Sequence, residues 1–347
     1  MNRNSCDAAA PELHSSGGLH AVFSRRGAAL TALYAPDRLG RLQNIVYNDP
    51  EAYAGQIIAP VAGRIRDGKV SVHGTVFQMP CDGDGLCLHS GPDTIAARLW
   101  QLTEHTDDAV TFRTGLPHGA CGLPGNRRIT ARYTLTRDRL CLTIELESDR
   151  DTFVNPTSHI YWNLSGDFTR PAAGQLLQIP AERVWYNDGR HLPQALHPTR
   201  GTVFDFSRPR DWNAAPAEDP QLAPARGYNH AFALEPDREV RLFCPANGRG
   251  LALRTQSTHL VVYSGGYLPV PGCALALEPQ EVPDAPFLLG NACPLLPAGH
   301  TFRRQIEYRF FVEAEGDAAG ERVKDALSEI EKSVLECKLL GAYKRAK

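Results

Sequence analysis

The chain has 347 residues, of which 42% are apolar, enough for one large β domain or two ordinary ones around a sizeable core. A formal net charge of -2 supplies no bulk attraction to nucleic acid or to an anionic membrane, and the apolar runs are too short to span a bilayer. The 9 cysteines are scattered, with no Cys-x-x-Cys pair. The first residues are polar and lack the apolar stretch of a secretory signal, so reduced thiols and a cytoplasmic location are expected.

Residues 1–17 read as a flexible N-terminal segment. Between about 18 and 312, short stretches of period-two alternation are separated by Gly, Pro, Asp and Asn. Residues 129–135, 140–146, 251–255 and 260–263 are examples. Many short strands joined by turns predict an all-β sandwich or barrel. Residues 313–347 form a separate tail. Of the 6 lysines in the chain, 5 lie at Lys324 or later. There Val323, Leu327, Ile330, Val334 and Cys337 recur at helical spacing, which predicts a helix packed on its own domain. A pairing element between subunits is the sharper alternative, so a monomer or a homodimer is expected, with the tail able to contribute to dimerisation.

Four segments within the β-rich region could carry chemistry. The first, Ala62-Gly63-Arg64-Ile-Arg66-Asp67-Gly68-Lys69, is a polar turn whose arginines are either solvated or clamp a ligand. In the second, Gly85-Leu-Cys-Leu-His89-Ser-Gly91, Leu86 and Leu88 are expected in the core and His89 on the other side. Cys81, Cys87 and His89 fit no common zinc spacing, and no metal site or cofactor is assigned.

The third is Asn155-Pro-Thr-Ser-His159-Ile-Tyr-Trp-Asn163-Leu164. As a strand it puts His159, Tyr161 and Asn163 on one face and Ile160, Trp162 and Leu164 on the other. A row of hydrogen-bonding groups opposite a core face suits the floor of a cleft, with the strand starting late after Pro156. Asn163-Leu-Ser165 matches a glycosylation sequon, here attributed to chance. In the fourth segment, Cys273-Ala-Leu-Ala-Leu-Glu278-Pro-Gln, Leu275 and Leu277 point one way and Ala274, Ala276 and Glu278 the other. By pattern alone Glu278 is a surface residue at a strand end.

Taken together and in order, these segments resemble the aldose 1-epimerase (galactose mutarotase) family. The likeness begins at Gly27-Ala-Ala-Leu and Pro36-Asp37-Arg-Leu-Gly40. It passes through Ala62-Gly-Arg64-Ile, Leu88-His89-Ser-Gly91, Leu123-Pro124-Gly125-Asn126 and the His159 segment. It continues through Gly201-Thr-Val-Phe-Asp205 and Gly227-Tyr-Asn229-His230 to Leu277-Glu278-Pro-Gln and Leu296-Pro-Ala-Gly299, covering roughly residues 20 to 312.

The resemblance implies a galactose-mutarotase-like β-sandwich that interconverts the α and β anomers of a free sugar by acid–base ring opening and closing, without cofactor. It implies Glu278 as general base and His159 as general acid. Arg64, His89 and Asn229 would hold the sugar, and Tyr161, on the polar face with His159, is expected to bind it as well. A carboxylate base and an imidazolium acid, both poised near neutral pH, suit that chemistry.

Two positions depart from the family pattern. Gly63 replaces an Asn, and Asn229 replaces an Asp that binds sugar hydroxyls. Alternatives are a related isomerase or cyclase acting on an unusual hemiacetal or biosynthetic intermediate, and a non-catalytic carbohydrate-binding protein. The expected partner is a small sugar, with no nucleic acid and no membrane.

Overall fold

A computed structural model describes residues 10–215 and 218–314. Two antiparallel sheets face each other across one large core. The larger has nine strands in the spatial order Gln101–His105, Ala109–Leu116, Arg127–Leu135, Arg139–Ser148, Thr301–Val312, Arg249–Thr255, Val240–Phe243, Leu176–Gln178 and Arg210–Asp211. The smaller has seven: Pro193–Pro198, Arg183–Asn187, Asn229–Ala233, His259–Tyr263, Leu275–Gln280, Tyr161–Trp162 and Val46–Tyr47. The four stretches singled out by their alternation all lie within strands of these sheets, because one face of each is core.

The core interdigitates the two inner faces. Ile129, Ala131 and Tyr133 come from the larger sheet together with Leu142 and Ile144. Phe232, Leu260 and Val262 come from the smaller, joined by Leu275 and Leu277. Because side chains alternate, the opposite face of the smaller sheet carries Asn229, Ala231, Val261, Tyr263, Ala276 and Glu278, and this face floors a cavity.

A further sheet of four strands is built from Glu12–His14, His20–Ser24, Ala29–Pro36 and Leu42–Asn44. Its first strand corrects the reading of residues 1–17 as wholly flexible. Leu13 is fully buried, and the Pro11 carbonyl accepts a hydrogen bond from Phe23 N–H, so order begins before residue 18. The helix expected within residues 313–347 falls beyond Ala314, outside the described residues. Among those residues no helix is long and apolar enough to cross a membrane.

Candidate active site

The cavity on the outer face of the smaller sheet has a volume of about 460 Å³. Arg64, His89, His159, Tyr161, Asn229 and Glu278 all line it, so the expected acid–base pair and sugar-holding residues are brought to one place.

The His159 segment is two short strands rather than one. Thr157–Ser158 pairs with Ile57–Ile58, and Tyr161–Trp162 is held between Leu275–Gln280 and Val46–Tyr47. Ile160, Trp162 and Leu164 enter the core while His159 and Tyr161 face the cavity. The backbone at His159 is pinned on both sides: its N–H donates to Gln56 and its carbonyl accepts from Gly55, each at 2.9 Å. Asn163 does not belong to the floor. Its amide is buried, donating to the Asp167 and Cys273 carbonyls and accepting from Ser165 and Gln175, so it serves the fold.

Glu278 lies inside its strand, hydrogen-bonded across to the His259–Tyr263 strand, and is only 3% exposed. The reading of a surface carboxylate fails because the neighbouring strands and loops build walls around it. Gln280, two residues on and therefore on the same face, donates to Glu278 Oε2 at 3.4 Å. His159 Nε2 stands 3.5 Å from Glu278 Oε1.

Burial dominates the electrostatics. It raises the Glu278 pKa to about 8, against the opposing pull of Arg64 and the Gln280 hydrogen bond. It lowers the His159 pKa to about 4. Near neutral pH the pair holds one proton, and burial favours its residence on the carboxyl. This differs from the expected carboxylate and imidazolium: two opposite charges in a desolvated site cost more than the neutral pair of the same net charge.

Arg64 sits in a strand, Arg64–Arg66, paired with Leu86–Leu88, and the polar turn proper is confined to Asp67 and Gly68, both at positive φ. Burial lowers the Arg64 pKa, opposed in part by Glu278. Asp284 fixes this strand. Its N–H donates to the Arg64 carbonyl at 2.9 Å, while its carboxylate accepts from Arg66 N–H at 2.9 Å and Arg66 Nε at 3.2 Å. Gly63, one of the two departures, has φ +72, and a Cβ there would meet Pro283 Cβ at 2.9 Å. Backbone shape therefore accounts for glycine at this position.

Cys87, not Leu88, points into a core cluster, while Leu88 lines the cavity. His89 and Ser90 both have positive φ, which breaks the alternation and turns the imidazole inward beside Leu88. Gly63 N–H donates to His89 Nδ1 at 3.2 Å, so Nε2 carries the proton of the neutral ring and is a donor. Burial, then the charges of His159 and Arg64, hold the His89 pKa well below the usual histidine range. The His89 ring lies edge-on to His159, with centroids 5.5 Å apart. Cys81, Cys87 and His89 do not form a converging ligand set among the described residues.

Tyr53, His191, Tyr263, Tyr267 and Gln280 also line the cavity, and sequence reasoning missed them. Gln280 was within reach of the alternation that placed Glu278. Tyr53 and His191 sit in loops at positive φ, where no periodicity marks them.

The family model described as "Aldose 1-epimerase" matches residues 11–309. The chain is 29% identical to the aldose 1-epimerase of Escherichia coli (strain K12), over 87% of this chain and 94% of that protein. It is 27% identical to the galactose mutarotase of Mus musculus, over 87% of this chain and 97% of that one. Its fold is like that of the crystal structure of an aldose epimerase homologue from C. elegans, with a TM-score of 0.81 at 24% identity, covering 88% of this chain and 99% of that one. With a family match spanning nearly all of the described strands, this chain belongs to the aldose 1-epimerase family.

Proposed function

We propose that this chain is an aldose 1-epimerase that interconverts the α and β anomers of a free sugar, with Glu278 as base and His159 as acid. The observation that carries the assignment is the facing of these two groups at 3.5 Å within one buried cavity. In a cyclic aldose the anomeric hydroxyl and the ring oxygen are bonded to the same carbon, so the base and the acid must converge.

Glu278 as carboxylate takes the proton of the anomeric hydroxyl. The C1–ring oxygen bond breaks, and His159 as imidazolium gives a proton to the ring oxygen, leaving an open-chain aldehyde. Rotation about C1–C2 presents the other carbonyl face. The two transfers then run backwards, closing the ring as the other anomer and restoring both groups.

Burial works in favour of ring opening. It makes the carboxylate a stronger base and the imidazolium a stronger acid. The protonated Glu278 and neutral His159 that accompany the aldehyde are also the pair that the desolvated site prefers. Arg64, the His89 Nε2–H donor and Asn229 are assigned to sugar hydroxyls, and Tyr161, whose ring is tilted 34° against that of His159 with centroids 4.8 Å apart, to holding that ring in place. A carbohydrate-binding protein without activity has no need of a matched acid and base.

The test is the rate at which freshly dissolved α-glucose and α-galactose reach anomeric equilibrium, followed by polarimetry or NMR after subtraction of the spontaneous rate. Acceleration proportional to protein concentration is expected. No acceleration of any aldose tried would overturn the assignment.

A further inference from the structure

The first hairpin of the chain carries a group of side chains that the proposed reaction does not use. Glu12 and His14 are two residues apart on one strand and so share a face, while Leu13 between them is buried on the other. His14 is directly opposite His20 on the paired strand. The two imidazoles stack with centroids 4.1 Å apart and planes 13° from parallel. Glu12 Oε2 is 2.9 Å from His20 Nε2 and 3.7 Å from His14 Nε2, and one potential ligand atom from each of the three residues lies within 4.8 Å of the other two.

We propose that Glu12, His14 and His20 form a binding site for a borderline divalent transition-metal ion such as zinc. Zinc bonds of roughly 2.0–2.2 Å to nitrogen and oxygen in a tetrahedral site set neighbouring ligand atoms roughly 3.4 Å apart. The observed 2.9 and 3.7 Å bracket that separation, and the largely exposed His14 ring has to swing out of its stack on His20 to bring both ring nitrogens onto one ion. Two imidazoles and one carboxylate suit zinc, copper(II) or nickel, and suit magnesium or calcium poorly.

The frame that holds the ligands is rigid on three sides. The hairpin is closed by Ser15 N–H to the Leu19 carbonyl at 2.9 Å and by Leu19 N–H to Ser15 Oγ at 3.0 Å. Tyr34 stacks at 5.2 Å from the His20 ring, and His105 Nε2 lies 3.0 Å from the Glu12 carbonyl oxygen. His105 ends the edge strand of the nine-stranded sheet, so the site lies where the four-stranded sheet meets it. The side chains of His14, His20 and Glu12 are 68%, 26% and 47% exposed, which leaves an open coordination position for water. None of the three lines the sugar cavity. A bound ion would staple the first strand to the second and leave the epimerisation chemistry alone.

The test uses the full chain without an affinity tag, stripped of metal and titrated with zinc chloride by calorimetry. The wild type is expected to bind one equivalent that is weakened at least tenfold in the double variant H14A/H20A and in E12Q. Glu12→Gln keeps both imidazoles and the hairpin intact, so it guards against a fold defect in the double variant. Zinc at one equivalent should raise the thermal midpoint of the wild type but not of the double variant, and leave sugar anomerisation unchanged. Absence of zinc uptake by the wild type overturns the proposal. So does a loss of less than tenfold in either variant, or inhibition of anomerisation by the first equivalent, since the ion would then sit elsewhere.

Discussion

His159 Nε2 stands 3.5 Å from Glu278 Oε1, although Glu278 lies within a strand and His159 in the link between two short strands more than a hundred positions earlier. The Leu275–Gln280 strand pairs with Tyr161–Trp162 at Tyr161 and Ala276, and that register brings His159, just before the pairing, level with Glu278, just after it. Small Ala274 and Ala276 side chains leave room beside Tyr161 on this face.

Glu278→Gln and His159→Ala should each lower kcat by about 10²–10⁴-fold, the usual worth of one positioned proton carrier. The double variant should be little worse than either single one, because the two act as a unit. Polarimetric rates on folded protein, with circular dichroism on the same samples, check this. Near wild-type turnover by either variant would remove that residue from the chemistry.

Much of this pairing is legible in the sequence because strands alternate. Ile160, Trp162, Leu275 and Leu277 are apolar at period two, and the residues between them must face elsewhere. What alternation cannot supply is depth. Whether Glu278 ends a surface strand or lies beneath walls depends on loops such as 188–192 and on Tyr53, placed by contacts distant in sequence. Leu88 shows a second limit: with a positive φ at His89 two successive side chains meet the cavity, so Leu88, expected in the core, lies beside the imidazole, and nothing in the residue types announces it. Asn163 shows a third, since a polar residue on the right face can be spent on backbone carbonyls.

The pH dependence of kcat/KM should be a plateau bounded by the pair. Between about 4, where burial has pushed His159, and about 8, where it has pushed Glu278, the pair holds one proton. Below the lower bound it gains a second, and above the upper bound it has none to give. Both limbs belong to the pair and not to either residue. Initial rates at sugar concentrations well below KM, from pH 3.5 to 9.5, measure the profile. A single limb near the ordinary histidine value would show that the site is more solvated than its burial indicates.

Stability carries the same signature. The folded Glu278 carboxyl keeps its proton up to about 8, whereas the unfolded one loses it near 4.5. The native state therefore binds more protons across this range, and its stability falls as pH rises. His159 acts oppositely between about 4 and 6.5, so the clean window for Glu278 is 6.5 to 8. Over that window the fall is at most about 2 kcal/mol, and Glu278→Gln should remove it. Urea unfolding of both proteins at the two ends of the window gives the difference. An equal slope in wild type and variant would mean that Glu278 ionises freely in the native state.

Asp284 should act on sugar binding through Arg64. It hydrogen-bonds the backbone on both sides of Ile65 and holds the Arg66 side chain, which also stacks over Phe287 at 3.7 Å. Asp284→Asn should cost about 1–3 kcal/mol of stability through weakened buried hydrogen bonds. It should raise KM more than it lowers kcat, because the acid and base stay in place. Thermal unfolding and steady-state rates separate the two effects, and a kcat loss with unchanged KM would contradict the positioning role.

Asn229 begins its strand on the cavity face, with its backbone carbonyl held by Asn187 Nδ2 at 2.7 Å. A carboxylate there would accept charge-assisted hydrogen bonds from sugar hydroxyls, which are roughly twice as strong as neutral ones. The amide should therefore weaken the hold on glucose and galactose by about 1–2 kcal/mol, up to roughly thirtyfold in affinity. Asn229→Asp should lower KM for both sugars. It should also shift the upper limb of the pH profile above about 8, because a second negative charge in the same cavity makes Glu278 harder to ionise. The two readouts separate the explanations. A shifted limb with no gain in affinity would mean that the new carboxylate reaches the cavity but finds no hydroxyl there. The natural substrate would then present Asn229 with an acceptor, a carbonyl or carboxylate, which the amide N–H can serve and an Asp cannot.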